Sequence, residues 1–123
     1  MADVDPAPVL HARAAAEAIR AINHLTVFGD GGLDDPRHLS DVLSALAQAA
    51  ERLPQALRQL ARITGRLGER DDLYADRGAW RDPATTCELV ELDLQSAAVV
   101  GTLADDLKTA AADLNHLRAV HDA

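Results

Sequence analysis

Five histidines are the residues of this chain best suited to bind a metal ion, and we asked first whether their spacing allows it. They are His11, His24, His38, His116 and His121. None belongs to a Glu-x-x-His pair, and the last two are five residues apart, which takes them off a common helical face. We therefore expect no metal site and no cofactor.

Nucleophilic and phosphate-binding chemistry is predicted to be absent as well. Cys87 lies near the start of a predicted helix, where a helix dipole can lower the pKa of a thiol, but no histidine is near it in sequence. Gly29, Gly31 and Gly32 precede another helix, yet the lysine of a phosphate loop is missing. We expect a small buried cysteine, a flexible turn and a protein that is not an enzyme.

Four arginines recur at every fourth residue, which places them in one row along a helix. They are Arg58, Arg62, Arg66 and Arg70. One interpretation is a solvated row that pairs with Glu88, Glu91 and Asp93 of the same chain or of a partner. The other is a site for phosphate or an acidic peptide. Nucleic acid is not expected, because no aromatic residue interleaves the row for stacking.

All three aromatic residues fall in predicted connections between helices. Tyr74 and Trp80 lie in one charged connection, and Phe28 begins another. They plug the ends of a helical bundle in one interpretation. In the other, Tyr74 and Trp80 anchor a protein partner, since aromatic loop residues often dominate binding.

The elements that must position these residues are helices. A heptad stripe spans the middle of the chain and keeps its phase through Pro54; its members are Leu39, Leu43, Leu46, Ala50, Leu53, Leu57, Leu60, Thr64 and Leu67. Three long helices are predicted, at about 7–27, 39–67 and 83–120, in a single all-α domain of residues 1–123. Asp35 or Ser40 is predicted to be the N-cap of the second helix, and Asp82, which is followed by Pro83, the N-cap of the third. The middle helix is predicted to be kinked or broken at Pro54, since an interior proline removes a backbone hydrogen bond.

The predicted helices differ in length, roughly 30, 45 and 55 Å, in an antiparallel up-down-up bundle. The first helix then covers half of the second, and the other end of the bundle exposes an apolar patch. That patch is Leu57, Leu60, Ile63, Leu67, Leu89, Val90, Leu92 and Leu94. A homodimer that completes a four-helix bundle, or a helical protein partner, is predicted to cover it. The alternative is that residues 69–82 fold back over it.

Charge and composition narrow the class of protein. Twelve basic residues against twenty acidic ones give a net charge of −8, which disfavours nucleic acid and anionic membranes as partners. A single cysteine is typical of a reducing compartment, and no apolar run approaches the roughly 20 residues of a membrane span. The expected location is the cytoplasm.

One part of the chain resembles a known group of proteins. The run Glu17 to Thr26, then Pro36, Asp41-Val42-Leu43 and Arg52-Leu53-Pro54-Gln55-Ala56-Leu57, resembles short all-helical proteins of actinomycete type to which no function is assigned. The resemblance covers about residues 17–63 and implies a unit of helix, loop and kinked helix. It implies no activity.

Two functions remain as predictions. The first is a non-enzymatic module for protein–protein interaction or self-assembly. The second is a sensor that binds a small molecule or peptide between helices near Pro54, because kinks open spaces between helices.

Overall fold

The computed structural model describes residues 4–74, 82–99 and 101–118. In these ranges the chain is all-helical, with α1 at Ala7–Thr26, α2 at Pro36–Leu67, α3 at Pro83–Val99 and α4 at Thr102–Leu114. Trp80 and Val100 lie outside the described residues. Within the described ranges, no helix combines the length and hydropathy that a bilayer span requires.

The start of α2 is determined by a side-chain cap. The Oδ1 atom of Asp35 accepts a hydrogen bond of 2.9 Å from the backbone N–H of Arg37, and Pro36 occupies the first turn, where its missing N–H has no cost. Asp35 was one of two residues predicted for this role. Hydrogen bonds from Arg37 lower the pKa of the Asp35 carboxyl to about 2. The helix therefore begins three residues before the predicted position.

The same device begins α3. Asp82 Oδ1 accepts a hydrogen bond of 2.7 Å from the backbone N–H of Thr85, and Pro83 follows Asp82, as predicted from the Asp-Pro pair. That backbone hydrogen bond lowers the pKa of the Asp82 carboxyl.

The middle helix continues through Pro54 without interruption. The helix is therefore not broken at Pro54, and the predicted kink stays a prediction. The last predicted helix, in contrast, consists of two helices. α3 ends at Val99, Gly101 is the N-cap of α4, and α4 ends at Leu114 instead of near residue 120.

α2 forms an antiparallel hairpin with α3 and α4 together. The hydroxyl of Ser40 near the start of α2 lies 2.9 Å from the carbonyl oxygen of Ala111 in α4. At the other end, a Cβ atom added to Gly68 would lie 3.0 Å from the Cβ of Cys87 in α3. The hairpin thus extends over the whole length of α2.

The first helix does not take its predicted place. α2 packs on α3 and α4, but no described residue of α1 contacts another helix. None of its residues is buried, and Ile19 and Leu25 are 47% and 63% exposed. The predicted up-down-up bundle is therefore absent from the described residues. α1 ends in a turn where Gly31 and Gly32 have φ angles of +61° and +85°, a conformation that favours glycine.

Candidate functional site

The line of contact between α2 and the α3–α4 arm is built from small residues, and we call it the small-residue seam. It includes Ser40, Ala47, Pro54 and Ala61 of α2 and Gly68, the C-cap of α2, which recur at every seventh position. On the other arm, Ala98, Ala104 and Ala111 are buried. Such residues let two helix backbones approach closely, since the interaxial distance depends on the side chains at the contact.

The leucines predicted to form the buried stripe lie beside this seam, not in it. Leu39, Leu43, Leu46 and Leu57 are half-buried, while Leu53, Leu60 and Leu67 are 54%, 46% and 38% exposed. The reason is angular, because each of Leu39, Leu46, Leu53, Leu60 and Leu67 precedes a seam residue by one position. A one-residue step turns the side chain about 100° around a helix. These leucines therefore project to one side of the hairpin.

Apolar residues of the other arm project to the same side. A cleft beside Pro54 is lined by Leu53 and Leu57 of α2 together with Ala97 of α3 and Leu103 of α4. Heptad spacing extends this surface in both directions along the hairpin. We call it the open face, and it consists of Leu46, Leu53, Leu60, Leu67, Val90, Ala97, Leu103 and Ala110.

The opposite side of the hairpin is polar. Glu51 and Lys108 form an ion pair across the seam. One groove on this side is lined by Ser44, Gln48, Ala112 and Asn115 among others, and a second by Gln55, Arg58, Gln59, Arg62 and Gln95. We call this side the polar face. The hairpin therefore has two chemically distinct sides.

The predicted interface residues all lie on α2 and α3, in the half of the hairpin opposite the Ser40 end. Leu60, Ile63, Leu67, Val90 and Leu92 are between 38% and 53% exposed, and Leu57, Leu89 and Leu94 are half-buried. No described residue of α1 covers any of the hairpin, so the apolar surface is not confined to one end as predicted. It continues through Leu53 and Leu103 towards α4.

The arginine row divides between surfaces. Arg58 and Arg62 line a groove of the polar face, Arg66 is exposed, and Arg70 donates a hydrogen bond of 2.8 Å from Nε to Oδ1 of Asp72. That hydrogen bond raises the pKa of the Arg70 guanidinium and lowers that of the Asp72 carboxyl. Among the described residues, the predicted pairs with Glu88, Glu91 and Asp93 are not formed.

The described aromatic residues do not plug the hairpin. Phe28 is fully exposed and Tyr74 is 89% exposed. Tyr74 as a partner anchor stays a prediction, and Trp80 lies outside the described residues.

A cleft of about 230 Å³ crosses the seam between the uninterrupted turn of α2 that contains Pro54 and the interruption between α3 and α4. Pro54 lies on one side of it, and Gly101, which precedes α4, lies on the other. Residues of both faces line it, including Glu51 and Asp105 from the polar side. The sequence predicted a space near Pro54, but the facing interruption at Gly101 was missed. The glycine before the Thr-Leu-Ala-Asp run was the available signal.

No group of three or more histidine, cysteine or carboxylate side chains in residues 4–74, 82–99 and 101–118 is arranged to hold a metal ion.

The chain matches no family model, and no curated protein or solved structure matches it. The resemblance of residues 17–63 to actinomycete-type helical proteins therefore stays a prediction. The geometry of the hairpin is the basis for any functional argument.

Proposed function

We propose that this chain is a non-enzymatic helical module for protein–protein association, and that its open face binds helices of a protein partner or of another copy. The observation that carries the proposal is the side-on projection of the leucines, of which Leu53 is 54% exposed and Leu103 62% exposed. A contiguous apolar surface rimmed by polar residues typically marks an interaction site. The apolar residues would be removed from water when a partner packs against them.

The organisation of the hairpin supports a helical partner in particular. The open face has the heptad spacing that lets a second helix pack along it, with each side chain entering a space between four others. The seam needs only small residues to close the hairpin. The leucines of α2 are therefore available for a second helix contact beside the first.

The test of this proposal replaces two leucines of the open face by glutamine. Leu53→Gln with Leu60→Gln is expected to abolish association, because it places two amides at the centre of an apolar contact. The tagged chain and the variant are compared in binding to an extract of the source cells and to untagged copies of the chain.

A matched control replaces Ala45 and Gln59 of α2, which are exposed, by glutamine and glutamate. This control is expected to bind as the wild-type chain does. If the wild-type chain retains neither its own copies nor another protein, or if the leucine variant retains the same proteins, the proposal is contradicted.

The cleft at Pro54 favours a second candidate function, a small-molecule sensor. Its apolar lining and the nearby carboxylates of Glu51 and Asp105 suit a small apolar amine. A ligand that binds the folded state must raise its stability. Such amines are therefore expected to raise the melting temperature of the chain. The rise should be lost in Asp105→Asn and kept in Asp113→Asn, and the absence of any rise would contradict the sensor.

The proposed partner follows from the net charge of the chain, and the proposed location follows from its cysteine content. A net charge of −8 supports a protein partner over nucleic acid or an anionic membrane surface, and the single cysteine supports a cytoplasmic location.

A further inference from the structure

We propose that the polar face carries a second binding site, which takes a small molecule with a phosphate monoester group. The site is the groove of about 630 Å³ between α2 and α3, and we call it the arginine groove. Its polar lining is Gln55, Arg58, Gln59 and Arg62 of α2 and Gln95 of α3. This site lies apart from the open face, so it adds a ligand to a protein whose proposed function is association.

The lining of the arginine groove reverses the charge of the chain as a whole. The chain has a net charge of −8, yet two guanidinium groups and three side-chain amides line this groove, and no described residue of the lining is acidic. A groove lined by charge of one sign raises the local concentration of ligands of the opposite sign. The groove therefore suits an anion although the whole molecule is acidic.

Neither arginine of the groove is neutralised by a described residue. Arg58 and Arg62 are exposed, and neither forms an ion pair with another side chain in the part of the chain that the structure describes. They are four residues apart on one helix, a spacing at which like charges repel and destabilise the helix. An anion held between the two guanidiniums would replace this repulsion by attraction to both.

The register of the two helices brings an amide of α3 to the same place. A Cβ atom added to Gly65 of α2 would lie 2.9 Å from Oε2 of Glu91 in α3. Because the helices are antiparallel, Gln95, which is one turn after Glu91, lies about one turn before Gly65 along α2. That level is between Arg58 and Arg62. An anion between the two guanidiniums can therefore also accept a hydrogen bond from α3.

The number of hydrogen-bond donors favours phosphate over carboxylate. A guanidinium has five N–H donors and a glutamine amide has two. A carboxylate has two oxygens and one charge, which a single arginine can satisfy in a bidentate contact. A phosphate monoester has three terminal oxygens and about two charges at neutral pH, so it can accept hydrogen bonds from both guanidiniums and an amide at once.

The extent of the groove favours a small molecule. Its polar lining spans only about 10 Å along α2, from Gln55 to Arg62. Glu51, which pairs with Lys108, precedes this stretch on α2, and Glu91 lies beside its other end. These carboxylates would repel the further phosphates of a nucleic acid strand. The volume of about 630 Å³ lies within the roughly 300–1,000 Å³ of small-ligand sites.

The experiment titrates the isotope-labelled full chain with phenyl phosphate and follows its N–H signals by nuclear magnetic resonance. Saturable shifts are expected at the side chains of Arg58, Arg62 and Gln95. Arg58→Gln with Arg62→Gln is expected to raise the dissociation constant at least about tenfold, because both charged donors are removed. The matched control is Arg13→Gln with Arg20→Gln of α1, which makes the same change in net charge away from the groove and should bind as the wild-type chain does.

Saturable binding that is lost in the first variant and kept in the control supports the site, provided that circular dichroism shows unchanged helix content. The absence of saturable shifts, or equal loss of affinity in both variants, overturns it. Succinate, which carries about the same charge on two carboxylates, is expected to bind more weakly, and equal affinity overturns the choice of phosphate. Tighter binding of a phosphoserine peptide than of phenyl phosphate overturns the small molecule as the ligand.

Discussion

At the scale of single residues, the closeness of the two arms depends on the smallest side chains. Ala47 and Ala61 of α2 are 2% and 1% exposed, and Ala111 of α4 is 4% exposed. Ser40 is the one buried polar residue among those described, and its hydroxyl has two acceptors within 2.9 Å, the carbonyl oxygen of Ala111 and Oδ1 of Asn115. Because the Ser40 hydroxyl is hydrogen-bonded, it avoids the free-energy cost of burying a polar group that has no hydrogen-bond partner.

Enlarging a residue of the seam should therefore weaken the hairpin. Ala47→Leu is expected to lower the free energy of unfolding by about 1–3 kcal/mol, since added methyl groups in a close-packed contact force side chains or backbone to move. Ala45→Leu, an exposed position two residues away on the same helix, should change it by less than about 0.5 kcal/mol. Urea unfolding followed by circular dichroism measures both, and equal stability of the two variants would contradict a tightly packed seam.

At the scale of elements, the sequence predicted what local rules determine. The phase of the heptad leucines favoured a kinked helix over a broken one at Pro54; α2 is continuous there, and the kink stays a prediction. The Asp-Pro pair at residues 82 and 83 predicted an N-cap, and Asp82 caps α3. Both predictions depend on interactions within a few residues of the chain, which a single sequence records directly.

What the sequence did not predict depends on contacts between elements. Two adjacent columns of α2 repeat at every seventh residue, the column of leucines and the column of Ser40, Ala47 and Ala61. Periodicity alone therefore did not show which column is buried in the seam and which is exposed. Larger apolar side chains were assumed to be buried. The seam instead takes the smaller residues, because the opposite arm also presents alanines.

The interruption near Gly101 was missed for a similar reason. One glycine within a helical pattern is tolerated at a cost of about 1 kcal/mol, so it does not by itself predict a boundary. Gly101 faces the level of Pro54 across the hairpin. The cleft between Pro54 and Gly101 depends on how the two arms are aligned, and a single sequence does not give that alignment.

At the scale of the whole molecule, α1 is separate from the hairpin. It has 20 residues, of which none is buried, and it contacts none of the other described helices. Most of the stability of a helix in a protein comes from packing of its apolar side against other elements, which α1 lacks among the described helices. The hairpin and α1 should therefore open independently.

Amide hydrogen exchange measured along the chain tests this separation. Amides of α1 from Ala14 to Ile22 are expected to exchange much faster than those of α4 from Leu107 to Ala112. Length alone predicts the reverse order, because α4 has only 13 residues against 20 in α1. Protection of α4 above α1 would show that contact with α2 stabilises the shorter helix. Protection of α1 equal to that of α4 or α2 would mean that α1 packs on the hairpin. That result would contradict the separation of α1 from the hairpin.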